Sequence, residues 1–276
     1  MEKRTLILSQ EGVFPVTGNK LNKENDSWPA TGIGISGTIQ GEGKLTGVPS
    51  LFIRLAGCNI RCAWELPDGT ISRCDTPHSL SFNSPSVFKA KISDITKTIF
   101  ANLGSLNHIV ITGGEPLLQK DELKILISKL KEENKNLHIT IETNGTIYDR
   151  SVAELCDLIS ISPKLKGSCF AISKNKCDIK RVDIKTIQAY IDSCKKNNKE
   201  FQLKFVVSKP HEENEIKEII SKLKGFSLFD IICMPLGASP KEILKTSSIA
   251  LKMAIANNWR FSPREHITLF GNKTGT

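Results

Sequence analysis

From about residue 33 onward, short runs of β-branched and aliphatic residues alternate with longer amphipathic segments, and this rhythm constrains the fold more than any other feature. Runs over Ser50 to Leu55, His108 to Ile111, Leu137 to Ile141, Leu158 to Ser162, Phe201 to Val207 and Asp230 to Met234 read as strands. Helical spacing is found over Pro85 to Leu103, Lys120 to Glu133, Ser151 to Leu155, Ile184 to Asn197, Glu212 to Leu223 and Pro240 to Asn257. In the second of these, Leu123, Leu126, Ile127 and Leu130 form one apolar stripe, with Lys124, Ser128 and Lys131 off it, as expected of a helix lying on a sheet. Strands joined by helices pair in parallel. The expected fold class is α/β: a parallel sheet covered by helices, either open or curled into a partial (β/α) barrel. Residues 33–276 form that domain, with no internal repeat and no long linker. Residues 1–32 read as an N-terminal extension, with weak strand character at Thr5 to Leu8 and a polar stretch from Asn19 to Asp26.

Composition narrows the function classes. A chain of 276 residues with 39% apolar content can bury a substantial core, so global disorder is excluded. Apolar runs stop after three or four residues, far short of the roughly 18 a membrane span needs. The Leu6-Ile7-Leu8 run after Lys3 and Arg4 is too brief for a secretory signal, so the cytoplasm is the expected compartment. The net charge of +9 favours acidic partners in general. Its lysines are nevertheless spread through helical segments without a basic block or interleaved aromatics, so it reads as a solvated surface and no nucleic-acid partner is expected.

In parallel α/β folds ligands lie beyond the C-terminal strand ends, and the sequence places unusual residues there. The first predicted strand ends at Gly57-Cys58, the next at Thr112-Gly113-Gly114-Glu115-Pro116, then Glu142-Thr143-Asn144-Gly145, then Ser162-Pro163-Lys164. Cys58, Cys62 and Cys74 fall close enough in sequence to converge on one metal centre, and three thiolates leave a coordination position for catalysis. Spacing alone also permits a zinc site of Cys58, Cys62, Cys74 and His78. The other five cysteines are scattered and read as structural, including Cys169 and Cys177, which share a loop but have no flanking ligand pair.

The segments Thr38-Ile39-Gln40-Gly41-Glu42-Gly43 and Gly47 to Asn59, followed in order by Thr112 to Pro116, Glu142 to Thr146 and Ser162 to Lys164, resemble the 7-carboxy-7-deazaguanine synthases of the radical S-adenosylmethionine superfamily. The likeness runs from about Ile35 to the C-terminus. It implies a 4Fe-4S cluster on Cys58, Cys62 and Cys74 whose fourth iron chelates S-adenosylmethionine, and reductive cleavage of that sulfonium to a 5′-deoxyadenosyl radical. In the family the radical acts on 6-carboxy-5,6,7,8-tetrahydropterin, which contracts and loses ammonia to give 7-carboxy-7-deazaguanine, on the way to queuosine-type deazapurines.

Carried over position by position, the resemblance assigns the cofactor to Arg73, Cys74, Asp75, Gly113, Gly114, Glu142, Ser162, Pro163 and Lys164, with Asn144 near the ribose. The pterin falls to Ile39, Gln40, Gly41, Glu42, Arg54, Thr112 and the terminal Thr276, of which Arg54, Glu42 and Thr112 are the expected catalytic group. The Arg54 fork suits a carboxylate, and its apolar neighbours Ile53 and Leu55 imply a buried cation that needs an anion. Thr76 matches a Mg²⁺-binding hydroxyl. A homodimer and a flavodoxin-like electron donor are the implied partners. One departure is visible: eleven residues separate Cys62 from Cys74 where the family has two, and Pro67-Asp68-Gly69 inside the insertion predicts the turn of a projecting hairpin. Two other readings remain: a different radical enzyme such as a glycyl-radical activase, for which Gln40, Glu42 and Arg54 would not matter to a pterin, and a zinc-stabilised nucleic-acid-binding module. Colour separates them, since an iron-sulfur protein prepared without oxygen is brown and a zinc module is colourless.

Overall fold

The computed structural model describes residues 4–21, 29–169 and 180–276. The described elements are, in chain order, β1 (Thr5–Phe14), β2 (Thr38–Ile39), β3 (Pro49–Leu55), β4 (Ala63–Glu65), β5 (Ile71–Arg73), β6 (Val87–Lys91), α1 (Ile92–Leu103), β7 (His108–Gly113), α2 (Lys120–Glu133), β8 (His138–Thr143), α3 (Arg150–Leu155), β9 (Leu158–Ile161), α4 (Ile184–Lys196), β10 (Glu200–Val207), α5 (Glu212–Ile220), β11 (Ile231–Pro235), α6 (Pro240–Asn257), β12 (Arg260–Phe261) and α7 (Glu265–Phe270). Among the described residues ten strands form one open sheet in the order β12-β11-β10-β9-β8-β7-β3-β1-β6, with β2 paired to β3. From β3 to β12 every neighbouring pair on this path is parallel.

Helical crossovers cover the sheet, which explains why its central strands carry uninterrupted apolar runs: Ile109, Val110 and Ile111 of β7 are all fully buried. The α2 stripe of Leu123, Leu126, Ile127 and Leu130 is likewise fully buried, as its spacing predicts. Side chains fix helix starts: Asp183 accepts from the Lys185 and Thr186 amides at α4, and Ser239 accepts from Glu242 at α6 with Pro240 in the first turn.

Two features depart from the sequence expectation. The helix expected from Pro85 begins only at Ile92, because Val87–Lys91 is extended and pairs antiparallel with β1 (Thr5 opposite Lys91, Ser9 opposite Val87). β1 itself is longer than Thr5 to Leu8: it runs to Phe14, sits between β3 and β6, and buries Leu6, Leu8, Val13 and Phe14. Its register against β3 shifts between Leu8 and Val13. Here the strand acquires a polar residue with a place in the site, Glu11. Residues 22–26 of the expected polar stretch lie outside the described residues.

At the N-terminal end of the sheet, His108 is buried between β3 and β8, its Nδ1 2.8 Å from Ser50 Oγ and its Nε2 2.8 Å from Thr140 Oγ1. Desolvation pushes its pKa down to about 4, so the folded chain keeps the ring neutral. The unfolded chain binds a proton near pH 6.5. Stability supplied by the neutral ring is therefore complete above pH 6.5 and is lost as pH falls towards 4, by up to about 3 kcal/mol. Urea midpoints should fall more steeply between pH 7 and pH 5 for the wild type than for His108→Gln; equal slopes would contradict the assignment.

Candidate functional site

The site is set by how closely β3 and β7 finish. A Cβ at Gly113, whose φ is +141°, would lie 2.0 Å from the Leu55 carbonyl oxygen, and one at Gly114 would lie 2.1 Å from the Gly57 carbonyl oxygen. Backbone bonds close the gap: the Gly114 amide donates to Leu55 (3.1 Å) and the Glu115 amide to Gly57 (2.7 Å). The glycines predicted for cofactor contact are thus demanded first by the protein's own chain. They bring the cysteine-bearing loop after β3 beside the turn after β7.

One cavity opens at the C-terminal ends of the parallel strands, as the sequence predicts. Cys58, Cys62 and Cys74 line it as free, half-buried thiols. Burial pushes Cys74 up to about 11 and raises Cys58, so loading these thiols with metal must release their protons. Thr76 also lines the cavity, its Oγ1 3.5 Å from Cys74 Sγ. Gly113, Gly114, Glu142, Asn144, Ser162 and Lys164 form the wall from the next strand ends, Arg73 and Asp75 the side beside Cys74. Pro163 is the exception, buried behind the wall and not lining the cavity. The terminal residues 271–276 line its mouth, Thr276 included.

The insertion forms the hairpin of β4 and β5, but it lies down instead of projecting. Trp64 and Leu66 pack with Leu236, Ser72 Oγ donates to Glu242 (2.9 Å), Glu65 pairs with Lys209 and Asp68 with Lys245. An apolar face and three polar anchors on the C-terminal half explain the difference. Cys74 therefore enters the cavity from a docked element, and Trp64 and Ser72 become part of the lining.

The predicted substrate and cofactor residues bond one another. Glu142 accepts from Thr112 Oγ1 at 2.8 Å and from Gln40 Nε2 at 3.3 Å, while Gln40 Oε1 accepts from the Glu42 amide. Lys164 donates to Ser162 Oγ. Ile39 and Gly41 lie in the same wall, and a Cβ at Gly41 would strike the His266 ring.

Three charged residues of the cavity were not anticipated. Lys204 on β10 pairs with Glu42 and lies 3.7 Å from Glu142, while Arg264 bonds Glu42 (2.9 Å) and Asp75 (2.5 Å). Burial pushes the Glu42 carboxyl up, but Lys204 and Arg264 outweigh it and hold it well below the usual carboxylate range. Glu11 on β1 receives His78 (2.7 Å) and the Arg54 guanidinium (3.2 Å), which also lies over the Phe14 ring. The anion that a buried Arg54 requires is therefore partly supplied within the chain. Glu115 is fully buried and accepts from Leu117 and Asn144 amides and Thr143 Oγ1, strapping the β7 and β8 ends together; burial still pushes it up to about 6.

The zinc arrangement does not form. His78 is committed to Glu11, and among the described residues no three His, Cys, Asp or Glu side chains are grouped to hold a single metal ion. Sulfurs sharing one zinc lie about 3.8 Å apart, whereas a cluster spreads them over several irons. Three thiols around one cavity suit the cluster.

Residues 53–248 match the model of the radical SAM superfamily. A 7-carboxy-7-deazaguanine synthase of Rhodopirellula baltica is 34% identical over 86% of this chain and 85% of the relative, and one of Halobacterium salinarum is 31% identical over 87% and 90%. The crystal structure of QueE from Escherichia coli shares the fold, with a TM-score of 0.59 at 23% identity over 95% of each chain. The chain belongs to the radical SAM superfamily and, within it, to the family of these 7-carboxy-7-deazaguanine synthases. Membership of the superfamily implies a 4Fe-4S cluster and S-adenosylmethionine. Among the described residues no helix is long and apolar enough to cross a membrane.

The charge balance of the cavity is testable without any cofactor. Lys204→Met leaves Glu42 and Glu142 short of a buried cation and should lower stability at pH 7 by about 3 kcal/mol. The loss should shrink towards pH 4.5, where the carboxyls can protonate. Urea unfolding at the two pH values checks this, and a pH-independent loss would contradict it.

Proposed function

We propose that this chain is a radical S-adenosylmethionine enzyme that converts 6-carboxy-5,6,7,8-tetrahydropterin to 7-carboxy-7-deazaguanine with loss of ammonia, in 7-deazapurine biosynthesis. The observation that carries the reading is the convergence, in one cavity, of three free thiols with Gln40, Glu42, Arg54 and Thr112. Cys58, Cys62 and Cys74 would hold the 4Fe-4S cluster, which together with S-adenosylmethionine supplies the one-electron chemistry that starts the reaction.

The chain's own residues bind, orient and exclude water. Gly113 and Gly114 offer backbone to the amino-acid end of the cofactor, with Glu142, Ser162 and Lys164 serving its polar parts, Arg73 and Asp75 flanking it and Pro163 shaping the wall behind. Arg54 presents the donors that Glu11 leaves free to the pterin carboxylate, a planar match that a lysine cannot give. Gln40 and Glu42 face the pterin's amide and amino edge, with Ile39 and Gly41 contributing backbone. Glu42 is held ionised by Lys204 and Arg264 and so acts as an acceptor. Thr112 and Gln40 share Glu142, so the side chains assigned to the substrate and the one assigned to the cofactor belong to one hydrogen-bond network. Thr76 would hold Mg²⁺ through its hydroxyl, with substrate oxygens and water completing the hard oxygen shell, and Thr276 closes the pocket. We further propose a cytoplasmic homodimer served by a flavodoxin-like donor. The alternative radical substrates are not favoured, because Gln40, Glu42 and Arg54 line the cavity together with the thiols.

Two substitutions separate substrate from cofactor roles. Arg54→Ala should cut kcat/KM for the pterin by about 100-fold, the worth of a charge-assisted pair, while iron and sulfide content stay at the wild-type level. Cys74→Ala should abolish the cluster and all turnover. Normal turnover by Arg54→Ala would sink the substrate assignment; an intact catalytic cluster in Cys74→Ala would sink the ligand assignment.

A further inference from the structure

Arg181 brings a buried cation to the cysteine loop from 119 residues away in sequence. Its Nη2 donates to the Arg61 carbonyl at 2.6 Å, and its Nη1 donates to Ser168 Oγ at 3.0 Å and lies 3.7 Å from Cys62 Sγ, within reach of an N–H···S bond. Ser168 is fully buried and spends its own proton on the Leu165 carbonyl, so its lone pairs fix the guanidinium fork. Among the described residues no carboxylate pairs with Arg181, and its Nε has no hydrogen-bond partner. A desolvated guanidinium stays charged at any ordinary pH and is costly without an anion. The group beside it that becomes anionic is Cys62, once that sulfur is a metal-bound thiolate.

We propose that Arg181 tunes the cluster through Cys62, holding its reduction potential above the value the three thiolates alone would set. The proposal rests on the reading of Cys58, Cys62 and Cys74 as cluster ligands. Reduction adds one electron, delivered by an external low-potential donor (dithionite in the test below), and makes or breaks no bond. The added negative charge is stabilised by the nearby guanidinium, and an N–H···S bond draws electron density from the sulfur; both favour the reduced form. Arg181 touches neither substrate nor S-adenosylmethionine in this role. It is a positioning and tuning residue acting through a ligand, which makes the cluster easier to reduce by the physiological donor.

The test is an EPR-monitored dithionite titration of reconstituted wild type, Arg181→Gln and Arg181→Lys without S-adenosylmethionine, with iron content measured in parallel. The expected result is a full cluster in each, a midpoint shifted to more negative potential in Arg181→Gln, and an intermediate one in Arg181→Lys, which keeps the charge but not the fork. An unshifted midpoint in any variant that retains its cluster would overturn the proposal. Loss of the cluster from both variants, with wild-type circular dichroism and melting, would make Arg181 a strap on the Arg61 carbonyl and overturn it as well. A wild type that takes up no cluster would instead contradict the underlying functional reading.

Discussion

The contact on which the rest of the site depends is the one between the end of β3 and the turn after β7, where no side chain fits. Gly113 and Gly114 stand against the Leu55 and Gly57 carbonyls with room only for hydrogen, and two backbone bonds hold the approach. Because the strands are parallel neighbours, this seam places the cysteine loop and the Gly-Gly-Glu turn on the same side of the sheet. Buried Glu115 then ties the seam to the end of β8. Three strand ends are fixed relative to one another before any ligand is considered. Thiol donors and backbone donors are consequently held at one cavity by structure that costs no reorganisation when a cofactor enters.

Around that seam the cavity is lined by charges that complete one another. Glu42 meets Lys204 and Arg264, Arg264 reaches on to Asp75, and Glu11 meets Arg54 and His78. Glu42, just after β2, meets Lys204 of β10 and Arg264 beyond β12, so these ion pairs reach across the cavity to the C-terminal segment, while Glu11 with Arg54 and His78 forms a separate set on the β1 side. Desolvated pairs of this kind add little net stability compared with apolar packing, but an incomplete set is severely penalised. Their arrangement fixes where acceptors and donors point, which is what a polar heterocycle with a carboxylate requires.

Much of the sheet was legible because burial on both faces writes itself as runs such as Ile109 to Ile111, and the helices because α2 carries an unambiguous stripe. The strand-end motifs were legible for the same reason: position after a strand is a local property. Lys204 was not, since a lysine within a strand reads as a solvent-facing residue until Glu42 and Glu142 are found opposite it. Glu11, Arg264 and His266 were missed because their partners lie tens to hundreds of residues away. Val87–Lys91 was misassigned to a helix because only the edge of β1 makes it a strand. The hairpin's turn was evident in Pro67-Asp68-Gly69, but its docking depends on Leu236, Glu242 and Lys245, which sequence alone does not bring near.

The central claim is that this cavity couples one-electron cleavage of S-adenosylmethionine to rearrangement of a carboxylated pterin. The most direct measurement is mass spectrometry of an anaerobic reaction containing reconstituted protein, dithionite, S-adenosylmethionine, Mg²⁺ and 6-carboxy-tetrahydropterin. The account predicts 5′-deoxyadenosine and 7-carboxy-7-deazaguanine appearing together. 5′-Deoxyadenosine without the deazapurine, from protein with a verified cluster, would contradict it.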